Sequence, residues 1–153
     1  SAAQSINITL PINSLSDVDD SIITSIPLEY VTFPDVGKVA TPHLKTTILN
    51  DSREIPVTFL VDSGAKISAL PLSYIDQVGL DRDTAKRIYL RSATNTTTYG
   101  YLSEIQLRVN NTTVTIPIAY ADIIEPLLGT HGFFDRFTVI FENGQKLIIK
   151  QKT

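Results

Sequence analysis

A chain of 153 residues, 42% hydrophobic and 19% charged, is long enough to bury one core and has the composition of a single globular unit. Its net charge of -3 provides no basic field, so nucleic acid is not an expected partner and an anionic membrane surface is not either. The absence of cysteine excludes disulfides, thiolate nucleophiles and cysteine-bound zinc, and two histidines, His43 and His131, are too few for a histidine-rich metal site. No metal and no other cofactor is expected.

No apolar run of about 18 residues marks a membrane segment in this chain, and no basic and apolar leader opens it. The cytoplasm is therefore the expected compartment. The chain has no methionine and begins Ser1-Ala2-Ala3, which points to a piece of something longer whose upstream segment is missing.

Residues 1–26 differ from the rest and are read as an N-terminal extension. They are rich in Ser, Asn and Asp. "SINITLPI" alternates like an edge strand, and Asp17, Asp19 and Asp20 lack the glycine and glutamate that a calcium loop requires. Residues 27–153 are read as one domain, mostly of strands. "EYVTF" runs into the turn Pro34-Asp35-Val36-Gly37, "HLKTTIL" turns at Asn50-Asp51-Ser52, and "IPVTFLV" follows. "PLSYIDQVGL" has helical spacing and ends on Gly79. "RIYLRSA" and "YGYLSEIQLRV" are two strands around a polar tip, and Asn110-Asn111 turns the chain into "TVTIPIAYA". "EPLLGTHGFFDRF" reads as a short strand entering a short helix. "TVIFENGQKLIIK" is a hairpin turning at Asn143-Gly144. Many short strands at regular spacing predict an all-β closed barrel.

One stretch carries chemistry. In "FLVDSGAKISALP" an apolar strand ends on Asp62, Ser63 and Gly64. A carboxylate placed directly after a buried strand is costly unless it is used. Ser63 can brace the turn, Gly64 lets the backbone bend and lets another chain approach, and Ala65 adds little bulk. Roughly sixty residues on come Pro126, Leu127, Leu128 and Gly129, two bulky apolar residues before a glycine. A hairpin with a polar tip lies between the two elements.

In order and spacing these three features resemble the retropepsin family of single-lobe aspartic peptidases, over about residues 40 to 150. The C-terminal run resembles cellular and bacterial members more than retroviral ones. The resemblance implies a single-lobe, retropepsin-like barrel with one short C-terminal helix, a flap hairpin, and activity as an aspartic endopeptidase on peptide or protein substrates. Asp62 would be the catalytic carboxylate. Ser63 would belong to a hydroxyl network joining two active-site loops, and Gly64, with Ala65 beside it, would border the substrate. Asn95, Thr96, Thr97, Thr98, Tyr99, Gly100 and Tyr101 would form the flap, and Leu127 and Leu128 would help wall the pocket. Lys66 and Thr130 depart from the retroviral pattern, which has an acidic residue and an arginine there. The ion pair those two make is absent, so dimer stability must come from elsewhere or be weak.

Aspartic peptidase chemistry needs two carboxylates sharing one proton. Asp35 is followed by a valine, Asp51-Ser52-Arg53 lacks the glycine, and Asp122 and Asp135 have neither hydroxyl nor glycine. The chain is also too short for two lobes of roughly a hundred residues. An active enzyme would therefore be a homodimer with Asp62 of each copy on a two-fold axis. Residues 1–26 and "KLIIKQKT" are candidates for the contact, the alternative being that the N-terminal segment is a disordered remnant or covers an edge of its own subunit. His43 is expected at the surface, His131 in a local hydrogen bond, and Phe133, Phe134, Phe137 and Phe141 in the core. Two other readings stay open: a non-catalytic binding or dimerisation module on the same fold, motivated by Lys66, and a chance match in an unrelated β-barrel.

Overall fold

The computed structural model describes residues 21–91, 94–142 and 144–152. The expected strand at residues 5–12, the three aspartates at 17, 19 and 20, and Asn143 of the last hairpin turn lie outside the described residues. Twelve strands and one short helix make an all-β fold: β1 (Ile22–Pro27), β2 (Glu29–Phe33), β3 (Gly37–Thr41), β4 (His43–Asn50), β5 (Arg53–Val61), β6 (Ala69–Pro71), α1 (Tyr74–Val78), β7 (Lys86–Arg91), β8 (Thr97–Val109), β9 (Thr112–Ala121), β10 (Leu127–Leu128), β11 (Phe137–Glu142) and β12 (Lys146–Gln151). Among the described residues no helix is long and apolar enough to cross a membrane.

The main sheet runs β4-β5-β10-β6-β9-β8-β7, and β8 also pairs with β4. The ladder of pairings therefore returns to its start and encloses the core. Period-2 patterning places each strand. In β5, Ile55, Val57, Phe59 and Val61 are buried while Glu54, Pro56 and Thr58 are exposed. β8 and β9 contribute Ile105, Leu107, Ile116 and Ile118 to the same interior. Asp51 and Asn110 take left-handed backbone at the two hairpin turns read from the sequence. The helix expected after Pro71 is α1. It buries Ile75 and stops at Gly79, whose φ of 73° most side chains avoid.

A second sheet, β1-β12-β11, joins the first and last described strands. β1 pairs with β12 from Ile22↔Lys150 to Pro27↔Lys146, so residues 22–27 and 146–151, both candidates for contact across a two-fold, meet within one chain. The short helix expected after Leu128 is instead a run of turns. Phe137 N–H donates to the Phe133 carbonyl, but Gly132, at φ 97°, ends any regular helix before it begins. Phe133 and Phe137 are buried and Phe134 packs against them. Phe141, expected in the core, is 45% exposed because it lies near the end of an edge strand.

β2 and β3 form a separate two-stranded hairpin, with every β2 residue exposed. The sequence reading finds β2 but not β3, where a single valine between Gly37 and Pro42 leaves no alternation to read.

Candidate active site

β5 carries the chain through the core to Val61, and Asp62 is the first residue beyond it. Val61 is buried, Asp62 half-buried, and Ser63 and Gly64 exposed, so the loop emerges at the surface of the single chain. Its shape is fixed locally. Gly64 N–H donates to Asp62 Oδ1 at 2.8 Å, and Ala65 N–H donates to the Asp62 carbonyl at 3.2 Å. A Cβ on Gly64 would sit 3.2 Å from Oδ1, tight against the carboxylate that this amide orients.

The element at 126–131 holds the loop from beneath. β10 is wedged between β5 and β6: Leu127 lies opposite Leu60 and Ala69, and Leu128 opposite Val61. Asp62 N–H donates to the Leu128 carbonyl at 2.9 Å and Leu60 N–H to that of Pro126 at 2.9 Å. In the other direction, Thr130 N–H donates to the Ala65 carbonyl and His131 N–H to that of Lys66, both at 2.8 Å. Gly129 N–H donates to the hydroxyl of fully buried Ser68 at 2.9 Å. Backbone approaches so closely here that a Cβ on Gly129 would stand 2.6 Å from the Ala65 carbonyl oxygen. The glycine after two leucines is thus a packing requirement.

The structure therefore joins Asp62, Ser63, Gly64 and Ala65 to Leu127, Leu128 and Gly129 in one stitched unit. Within it Leu128 is wholly buried and Leu127 half-buried. The segment 95–101 lies on another hairpin, β7–β8, linked to Asp62 through β9, β6 and β10. Arg91 pairs with Thr97, and Asn95 at the tip takes φ 66° and accepts from Arg91. The two faces of this hairpin differ. Gly100 is buried against the Tyr120 carbonyl, with half-buried Thr98 on the same side and Ile88 and Leu90 across from them. Tyr99 is on the other face, edge-on to Tyr89 at 5.4 Å, and Arg87 lies over Tyr99 and Tyr101.

Lys66 and Thr130 are neighbours, but the contact is neutral, Thr130 Oγ1 donating to the Lys66 carbonyl at 3.4 Å. His131 bonds locally, its Nδ1 3.3 Å from Asp135. His43 is less exposed than expected. Its Nδ1 is 3.1 Å from Thr41 Oγ1 and its Nε2 3.2 Å from Glu125 Oε1. Among the described residues no three His, Asp or Glu side chains group as a metal ligand set. Sequence reasoning missed Ser68 and the His43–Glu125 contact. A serine inside an apolar run was the only signal for the first, and none existed for the second.

A family model described as gag-polyprotein putative aspartyl protease matches residues 46–134. Among solved structures, a retropepsin-like aspartic protease from Rickettsia conorii superposes with a TM-score of 0.53 at 17% identity, over 84% of this chain and 91% of that one. The EIAV protease complexed with the inhibitor HBY-793 gives 0.47 at 18% identity, over 65% and 88%. No curated protein sequence matches. The likeness to the Rickettsia structure is one of fold. The family match covers more than half of the sequence and contains both Asp62 and Gly129, so the chain belongs to the gag-polyprotein putative aspartyl protease family and has a retropepsin-like fold.

Proposed function

We propose that the chain is an aspartic endopeptidase that works as a homodimer, with one Asp62 from each copy. The observation that carries this reading is the setting of Asp62. It stands at the end of a core strand, its amide is tied to Leu128, one carboxyl oxygen is held by Gly64 N–H, and the loop still reaches the surface. A second copy there can bring its own Asp62 within about 3 Å, where two carboxyls share one proton. The ionised member takes a proton from a water lying between them, and the oxygen of that water attacks the scissile carbonyl carbon. The protonated member gives its proton to the carbonyl oxygen. Collapse of the tetrahedral diol breaks the C–N bond, with a proton passed to the leaving nitrogen, and no covalent intermediate forms. The exposed Ser63 hydroxyl joins the two loops in this reading. The β7–β8 hairpin acts as the flap, presenting Thr98 and Gly100 on its core side.

Asp62→Asn in a purified, folded protein should lower peptide cleavage by a factor of about 10² to 10⁴ or more. The pH–rate profile should be bell-shaped with an acidic to mildly acidic optimum. Full protonation removes the base at low pH, and full ionisation removes the acid at high pH. Undiminished cleavage by the folded Asp62→Asn protein would overturn the proposal, and so would a rate that still rises through pH 8.

A further inference from the structure

We propose that the β2–β3 hairpin is a dimerisation arm, whose open apolar face of Val31, Phe33 and Val39, with Val36 at the tip, packs on a second copy of this chain beside the Asp62 loop. The inference rests on the two-carboxylate reading above. Register separates the two faces of the arm: Tyr30 pairs with Ala40, Val31 with Val39, and Phe33 with Gly37. Tyr30 and Ala40 therefore share one face, and Val31, Val39 and Phe33 the other. The first face touches its own domain at two points, although Tyr30 itself is 55% exposed. The Tyr30 hydroxyl donates to the Gly144 carbonyl at 3.4 Å, and Ala40 packs against the core. The second face leaves Val31 41% and Phe33 47% exposed with Val39 half-buried, and Val36 in the turn is 74% exposed. A two-stranded hairpin is marginal in water by itself, and a contiguous apolar face calls for a partner.

The chain's own contacts say where that face lies. Glu29 pairs with Thr41, on the same side as Val31, and both side chains meet His43: Thr41 Oγ1 is 3.1 Å from Nδ1 and Glu29 Oε1 is 3.9 Å from it. His43 lies opposite Leu60, and the Pro42 carbonyl accepts the Val61 N–H at 2.8 Å. The open face thus continues from the arm through His43 to the end of β5, where Asp62 begins. A copy that stands over Asp62 to supply the second carboxylate stands at the root of this face. A five-residue strand extends about 17 Å from that root, enough to lie along the neighbour. By symmetry each arm holds the other copy. The neutral Lys66–Thr130 contact leaves the dimer without an ion pair at that point, and the arm supplies apolar burial instead.

The test is sedimentation equilibrium on the full chain carrying Val31→Asp and Phe33→Asp, with Thr32→Asp on the opposite face as control. The double variant should raise the dimer dissociation constant at least about tenfold, as loss of two apolar anchors implies. The control should leave it within about twofold. Amide exchange across residues 29–41 of the unaltered protein gives a second reading that survives misfolding of the variant: these amides should be protected above the dissociation constant and exchange freely below it. An unchanged constant in a folded double variant overturns the arm, as does protection that ignores concentration. Asp62-dependent cleavage by such an unaffected dimer leaves the peptidase reading standing while the arm falls. An arm-dependent dimer with no Asp62-dependent cleavage does the reverse. A protein monomeric at every concentration overturns both.

Discussion

Gly129 and Ser68 show how single residues set the Asp62 loop. A methyl group at 129 would meet the Ala65 carbonyl oxygen at 2.6 Å and the Ile67 backbone at 2.9 Å, and backbone cannot step aside as a flexible side chain can. Gly129→Ala should therefore cost about 1–3 kcal/mol in urea unfolding, as overpacking does, and displace the Asp62 loop. Ser68→Ala keeps the volume nearly constant but leaves a buried amide without its acceptor, again about 1–3 kcal/mol. The two sites differ in legibility. Asp62, Ser63 and Gly64 are contiguous and end an alternating strand, so the candidate motif can be picked out locally. The Ser68 hydroxyl meets its partner 61 residues along the chain, and a serine in "KISALP" gives no hint of that distance.

At the scale of elements, local pattern decided what could be read. β5, β8, β9 and the β11–β12 hairpin have strong alternation and turn residues, and they stand where the sequence places them. β3 has only one valine to mark it beside its hairpin partner β2, and β6 is three residues long and defined by β9 and β10, partners far along the chain. The expected C-terminal helix shows the opposite failure: aromatic residues at helical spacing suggest a helix, and a glycine with positive φ prevents it. The β8–β9 pair also predicts a pH effect. Burial pushes the Tyr120 phenol above its ordinary range, and the hydrogen bond donated by Ser103 partly offsets this. A raised folded-state value means that its contribution is intact below about pH 10 and is lost as pH rises beyond it. Stability should thus fall in the alkaline range. Tyr120→Phe should flatten that fall, at the cost of about 1 kcal/mol at neutral pH from the lost hydrogen bond. Thermal unfolding from pH 7 to 11 measures both.

At the scale of the molecule, the main sheet closes upon itself and the first and last described strands, β1 and β12, pair with each other. β1 covers β12, whose Leu147 and Ile149 are buried. Deleting residues 146–152 should therefore leave β1 and β11 unpaired and the core open, seen as loss of the cooperative unfolding transition. The all-β class could be read because strand patterning recurs throughout. The pairing of the two ends could not, because "SIITSIP" is only weakly apolar and its partner is the last strand.

That pairing imposes an order in time. A ribosome adds about 5–20 residues per second, so β1 waits on the order of ten seconds before β12 exists. Until then the β1 edge stays unpaired and the domain unfinished. The domain therefore completes its fold only after synthesis has passed β12, and a nascent chain stalled before that point would present an unpaired strand edge to chaperones and proteases.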